Sequence, residues 1–135
     1  MAPIASIGVE GENEMPENQI KVAACQLLTS EDVKHSTSKV LEKLEACAEM
    51  GVQIAAFPEG CLHGYCCRMD YWERISPLVF KEAEAEIAAA CRRHHIAAVV
   101  GSAHHADGNW HNDLAIFNPE GVLKYRYGKT FLAGE

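Results

Sequence analysis

Two charged residues about half the chain apart stand out as able to do chemistry: Glu59, in Phe57-Pro58-Glu59-Gly60, and Lys129, in Tyr127-Gly128-Lys129-Thr130-Phe131-Leu132. Each lies just past the end of an apolar run that reads as a buried strand. A carboxylate and an ammonium at the C-terminal ends of core strands suggest an active site, because buried charges are costly unless they are paired or working.

The sequence also holds six cysteines and seven histidines. Reduced thiols are expected, since no secretion signal precedes them. Cys25, Cys47 and Cys91 fall at expected core positions, where free cysteine packs as a small hydrophobe. No Cys-x-x-Cys occurs, and the nearest grouping, Cys61, His63, Cys66 and Cys67, matches no standard zinc spacing. His94-His95 and His104-His105 are adjacent pairs, which point to opposite faces of a strand or about 100° apart on a helix. Surface or boundary roles are expected for them, and no metal or cofactor. Tyr71 and Trp72 either line a pocket mouth beside Tyr65 or pack under a loop.

The elements that must position Glu59 and Lys129 follow from periodicity. Ile20 to Leu28 reads as a core strand, ending at a helix N-cap at Thr29-Ser30 with Glu31 and Asp32 in the first turn. Val33, Thr37, Val40, Leu41, Leu44 and Ala48 then recur at helical spacing up to a C-cap at Gly51. Val52 to Phe57 is a short strand running into Pro58-Glu59, and Gly60 to Ser76 reads as irregular. A second helix is predicted to start at Ser76-Pro77, with Phe80, Ala83, Ile87, Ala90 and Cys91 on its buried face. Ile96 to Ala103 is apolar throughout, as in a strand covered on both faces. Asp107-Gly108-Asn109 and Pro119-Glu120-Gly121 are turns bracketing strands Trp110 to Asn118 and Val122 to Tyr127. The order predicts an α/β layered domain whose last part is antiparallel.

The chain has 135 residues, 48% of them hydrophobic, enough for one domain with a sizeable core. Residues 1–18 carry four glutamates and no Lys or Arg, and they read as a disordered acidic leader. They account for −4 of the net charge of −7, leaving −3 on residues 19–135. Neither part has the basic patch that a phosphate backbone requires, so nucleic-acid binding is excluded. No segment has the apolar length to span a bilayer or the form of a signal peptide, and a cytoplasmic soluble protein is expected.

Several pieces occur together in a characteristic order: Ala23-Ala24-Cys25-Gln26; Phe57-Pro58-Glu59 followed by Gly64-Tyr65; Asn112 through Pro119 with Gly121; and Tyr127-x-Lys129-x-x-Leu132. With these, the chain resembles the carbon–nitrogen hydrolase (nitrilase) superfamily from about residue 20 to its end. The resemblance implies an α-β-β-α sandwich, of which residues 19–135 would be the N-terminal portion, and homo-oligomeric assembly of the full-length form. It implies hydrolysis of non-peptide C–N bonds in small nitrile, amide or N-carbamoyl substrates through a Glu-Lys-Cys mechanism. Glu59 then matches the base that takes the thiol proton, and Lys129 the cation that stabilises the oxyanion. Glu135 is the candidate for a second glutamate orienting lysine and substrate, and Tyr65 for a substrate-binding residue. Phe131 stands where the family commonly has His. The nucleophilic cysteine is expected beyond Glu135, since all six cysteines precede Lys129.

Two other readings compete. One is a catalytically inactive truncated homologue or fragment, acting at most as a binding or assembly partner, with sheet faces and edges left open. The other is a metal-binding module built on the Cys and His residues.

Overall fold

The computed structural model describes residues 18–131. Through them run β1 (Val22–Ala24), α1 (Val33–Glu49), β2 (Ile54–Ala56), α2 (Met69–Arg74), α3 (Pro77–His94), β3 (Ala97–Ala106), β4 (Asn109–Phe117) and β5 (Leu123–Gly128). The strands form one sheet in the order β1-β2-β3-β4-β5. β1, β2 and β3 pair in parallel, and β4 and β5 are added antiparallel, as the order of elements predicted.

Local chemistry accounts for the helices. Asp32 caps α1 by accepting from the His35 N–H at 3.1 Å. Ser76 caps α3, Pro77 fills its first turn, and Arg92, Arg93 and His94 occupy its last turn, where cations complement the dipole. The apolar stripes of both helices, among them Val40, Leu44, Phe80 and Ile87, bury against Ala55, Ala98, Val100 and Phe117 of the sheet. Each such large side chain contributes about 1.5–3 kcal/mol by leaving water. No helix among the described residues is long and apolar enough to cross a membrane.

Three expectations are corrected. Only Val22–Ala24 of the run Ile20 to Leu28 pairs as strand, because β1 is the sheet edge with a single partner; Ile20, Val22 and Leu28 are exposed and Cys25 is half-buried. The α1 cap is Asp32, not Thr29-Ser30, so the first turn holds no acid; the Ser30 hydroxyl instead accepts from the Asp32 N–H. The glycine cap at the end of α1 stands as read: after Met50, Gly51 takes φ 71° and donates its N–H to the Ala48 carbonyl at 2.9 Å, while the Val52 N–H donates to the Cys47 carbonyl at 3.0 Å. The stretch from Gly60 to Ser76 contains α2, six residues with none buried and therefore no apolar periodicity to betray it.

Apart from the stretch of β3 at Gly101 and Ala103, the sheet face opposite the helices is not covered by the described residues. Alternation places Val22, Ala24, Ile54, Ala56, Val99, Leu114, Ile116, Tyr125 and Tyr127 on it. Val22 and Tyr125 are each 61% exposed and Tyr127 is 53% exposed. An apolar face this open marks a surface made to be covered.

Candidate active site

Glu59 follows β2 and Lys129 follows β5. β2 and β5 run in the same direction, so both residues emerge at the same end of the sheet. β3 and β4 separate those strands, three spacings or about 14 Å, so Glu59 can reach Lys129 only if its loop crosses the sheet. It does. The Phe57 N–H still donates to the Val99 carbonyl at 2.8 Å, and Pro58, with no N–H, ends the pairing. The chain then turns over Gly101 of β3, whose carbonyl accepts from the Leu62 N–H at 3.2 Å and the Cys61 thiol at 3.3 Å. Gly60 (φ 62°), Gly64 (φ 66°) and Tyr65 (φ 53°) take left-handed conformations that tighten this loop.

The geometry brings Glu59 and Lys129 together. Lys129 Nζ donates to Glu59 Oε1 at 2.8 Å and to Tyr65 Oη at 3.2 Å. It also lies 5.5 Å from the centre of the Tyr65 ring. Asn112 Nδ2 donates to the same Glu59 oxygen at 2.7 Å, and the Lys129 N–H donates to the Asn112 carbonyl at 2.9 Å. The hydrogen bond from Lys129 outweighs burial and, with that from Asn112, holds the Glu59 carboxyl below its usual range. The hydrogen bonds to Glu59 and Tyr65 raise Lys129 in turn, so both groups are charged at neutral pH.

His63 lies behind the pair, 2% exposed, with its ring 5.0 Å from that of Trp72 and no hydrogen-bond partner on either nitrogen. Burial pulls its proton affinity down, against the opposing pull of Asn112 and Glu59, so it is a neutral imidazole. Trp72 serves both roles considered for it: it packs on Phe80 and it lines a cavity of about 540 Å³ beside Tyr65 and Lys129. Tyr71 donates its hydroxyl to the Glu31 carbonyl at 3.1 Å.

None of the described cysteines hydrogen-bonds to Glu59 or Lys129, although Cys66 and Cys67 line the cavity beside Lys129. Cys61 is fully buried, and desolvation pushes its thiol up to about 12. Cys25 Sγ lies 3.6 Å from Cys47 Sγ, and Cys91 is buried in α3. Cys66 donates to Glu31 and the exposed Cys67 to the Tyr65 carbonyl. Among the described residues no group of three or more His, Cys, Asp or Glu side chains could hold a metal ion. Glu135 lies outside the described residues.

Sequence reasoning gave no role to Asn112 or Gly101. A lone glycine inside an apolar strand is itself a sign of close backbone approach, and that signal points to Gly101.

A sequence profile of the carbon-nitrogen hydrolase family matches residues 21–134. No curated protein sequence matches the chain. Its fold is similar to that of an amidase from Nesterenkonia sp., with 19% identity and a TM-score of 0.77 over 86% of this chain and 44% of that one. It is also similar to a carbon-nitrogen hydrolase from Helicobacter pylori G27, with 16% identity and a TM-score of 0.73 over 84% and 40%. A third similar structure is a mutant of the amidase from Nesterenkonia sp. AN1 showing covalent addition of the acetamide moiety of fluoroacetamide at its active site cysteine (18% identity, TM-score 0.77, 86% and 45%). The chain thus spans less than half the length of these structures.

Proposed function

This chain belongs to the carbon-nitrogen hydrolase family, and from that premise we propose that it supplies the Glu59–Lys129 half of an enzyme that hydrolyses the C–N bond of small amides, with nitriles and N-carbamoyl compounds as the related substrates. The observation that carries the reading is the contact between Lys129 Nζ and Glu59 Oε1 at 2.8 Å, steadied by Asn112. We place the nucleophile on a cysteine outside the described residues, since Cys61, next to the base in sequence, is fully buried and none of the described cysteines hydrogen-bonds to Glu59 or Lys129.

In this mechanism Glu59 takes the thiol proton and the thiolate attacks the amide carbon. Negative charge builds on the carbonyl oxygen, and Lys129 stabilises it. As Lys129 shifts its interaction from Glu59 to that oxygen, Glu59 loses the hydrogen bond that kept its proton affinity low. It thereby becomes a better base as the reaction advances. Protonated Glu59 then gives its proton to the leaving nitrogen, the C–N bond breaks, and a thioester is left. Water attacks the thioester carbon, Glu59 accepts the water's proton and returns one to the sulfur, and a carboxylic acid departs. Glu135 is assigned to orienting Lys129 and Tyr65 to contacting substrate. In the protein carrying this segment, Glu59→Gln should lower kcat by about 10²–10⁴ while leaving the fold intact. Turnover retained within a factor of ten would remove Glu59 from this role.

The uncovered sheet face favours a second reading, in which this segment serves as a non-catalytic assembly partner. Homo-oligomeric assembly in the cytoplasm is compatible with either reading. The length and activity of the protein purified from its source separate them. A 135-residue product without amidase activity, bound to a partner and released by Val22→Lys with Tyr125→Lys, supports the second reading. A longer product with amidase activity argues against it.

A further inference from the structure

We propose that the cavity beside Lys129 seats the acyl group of the substrate and selects an uncharged aromatic amide. This deepens the amidase reading and rests on it, because the reacting carbon is placed by Glu59 and Lys129. Lys129 and Asn112 line both this cavity and the recess that holds Glu59, so a molecule whose carbonyl faces Lys129 projects its acyl group into the cavity. At about 540 Å³ the cavity is of small-molecule size and far larger than the methyl of acetamide needs.

Its walls favour a flat ring. Trp72 and Trp110 stand with ring centres 5.0 Å apart, tilted by 51°. Their polar tips are already committed: the Trp72 indole N–H donates to the Cys66 carbonyl at 2.9 Å, and that of Trp110 to the Trp72 carbonyl at 3.0 Å. The indoles are therefore pinned in orientation, Trp72 also by His63, Tyr71 and Phe80 and Trp110 by Phe80 and His105, and the part of their surface left facing the cavity is apolar and suited to edge or offset contact with another ring. The wall is also poorly suited to an anion. Lys129 is the only lysine or arginine among the described lining residues, and Glu59 and Tyr65 already engage it. His63 is sealed in with its nitrogens buried. The other polar side chains of the lining are Asn109, His111 and Asn112, and Asn112 already serves Glu59, so a carboxylate on the acyl group would give up water without meeting a free lysine or arginine.

Trp72 and Trp110 are the only tryptophans of these 135 residues, and the part of an intrinsic fluorescence change that Trp72→Phe or Trp110→Phe removes reports occupancy of the cavity without any turnover. The protein in its longest natural form is titrated with benzamide, butyramide and succinamate while hydrolysis is followed in parallel. Benzamide should perturb the fluorescence and bind about tenfold more tightly than butyramide, the advantage an aromatic pair supplies; succinamate should bind most weakly. Met69 lies 71% exposed at the cavity, so Met69→Lys should fold normally and narrow the gap between succinamate and benzamide by about tenfold. Succinamate binding as tightly as benzamide, or benzamide hydrolysis with no change at the tryptophans, would overturn the assignment. Benzamide binding without hydrolysis would support the cavity and count against the amidase reading. Hydrolysis of butyramide with no aromatic preference would do the reverse.

Discussion

Gly101 and Glu59 are in direct backbone contact across 42 positions of chain order that the fold closes to nothing: a Cβ on Gly101 would stand 2.8 Å from the Glu59 carbonyl carbon, 2.2 Å from the Pro58 carbonyl oxygen and 2.4 Å from the Gly60 nitrogen. The loop that carries the carboxylate lies on β3 at its one position without a side chain.

Gly101→Ala should therefore cost about 1–3 kcal/mol, as overpacking against an atom that cannot rotate away. It should also shift the carboxylate, since only the loop's seat on β3 lets Glu59 cross to Lys129. Denaturant unfolding measures the first effect, and the side-chain carboxyl NMR signal of Glu59 measures the second. An alanine variant of unchanged stability, with Glu59 titrating as before, would show that the loop does not depend on this contact.

The pH dependence has a definite sign. The Glu59 carboxyl is held below its usual 4.5 in the fold, first by the hydrogen bond from Lys129 and then by that from Asn112. A depressed folded-state pKa contributes stability above the unfolded value, and that contribution is lost as pH falls through the folded value. The pair is thus intact at neutral pH and opens only in acid below 4.5. Lys129→Met should move the Glu59 titration upward toward the usual carboxylate range, and Asn112→Leu should do so by less. An NMR titration in which Glu59 titrates above 4.5 in the unaltered protein would contradict this account.

Much of this was legible from the chain, in the places where local chemistry governs. Ser76 and Pro77 open α3, and Asp107 and Gly108 both take positive φ in the β3–β4 turn, as a tight hairpin turn requires. Glu59 and Lys129 could be singled out because each follows an apolar run. Asn112 could not be given its role, because its bond to Glu59 depends on the loop after β2 crossing β3 to reach β4. α2 was invisible for want of a buried face, and β1 was overread because apolar residues on an open edge look like those of a central strand.

The polar residues on the helix side of the sheet form a network that should carry stability rather than chemistry. Arg126 bonds to both oxygens of Glu84 and donates to Asp113 Oδ2 at 3.2 Å, while the buried Ser102 hydroxyl donates to Glu84 Oε1 at 2.7 Å. His104 Nδ1 lies 2.6 Å from the same Asp113 oxygen. Arg126→Ala would leave two acids facing each other under α3 and should cost about 3 kcal/mol, as when a buried pair loses one partner. Arg126→Ala combined with Glu84→Gln should recover part of that loss. Unfolding midpoints of the two variants decide it, and a single variant within 0.5 kcal/mol of the parent, roughly the scatter of surface substitutions, would count against the network.

The cysteines test the assignment of the nucleophile most directly. A thiol attacks only as thiolate, so reactivity follows exposure and proton affinity. Cys61 sits two residues from the proposed base, yet burial pushes its thiol up to about 12, while Cys25 and Cys91 are raised to about 11. Cys67 is the exposed one. Brief alkylation of the folded protein by iodoacetamide near neutral pH, followed by peptide mass mapping, should therefore mark Cys67 first and leave Cys25, Cys61 and Cys91 unmodified until the protein is denatured. Rapid labelling of Cys61 that slows in Glu59→Gln would mean that Glu59 activates a thiol within this chain, and the nucleophile would no longer have to be sought elsewhere. Labelling confined to Cys67, and unaffected by Glu59→Gln, leaves Glu59 and Lys129 as a base and a cation whose thiol comes from outside the described residues.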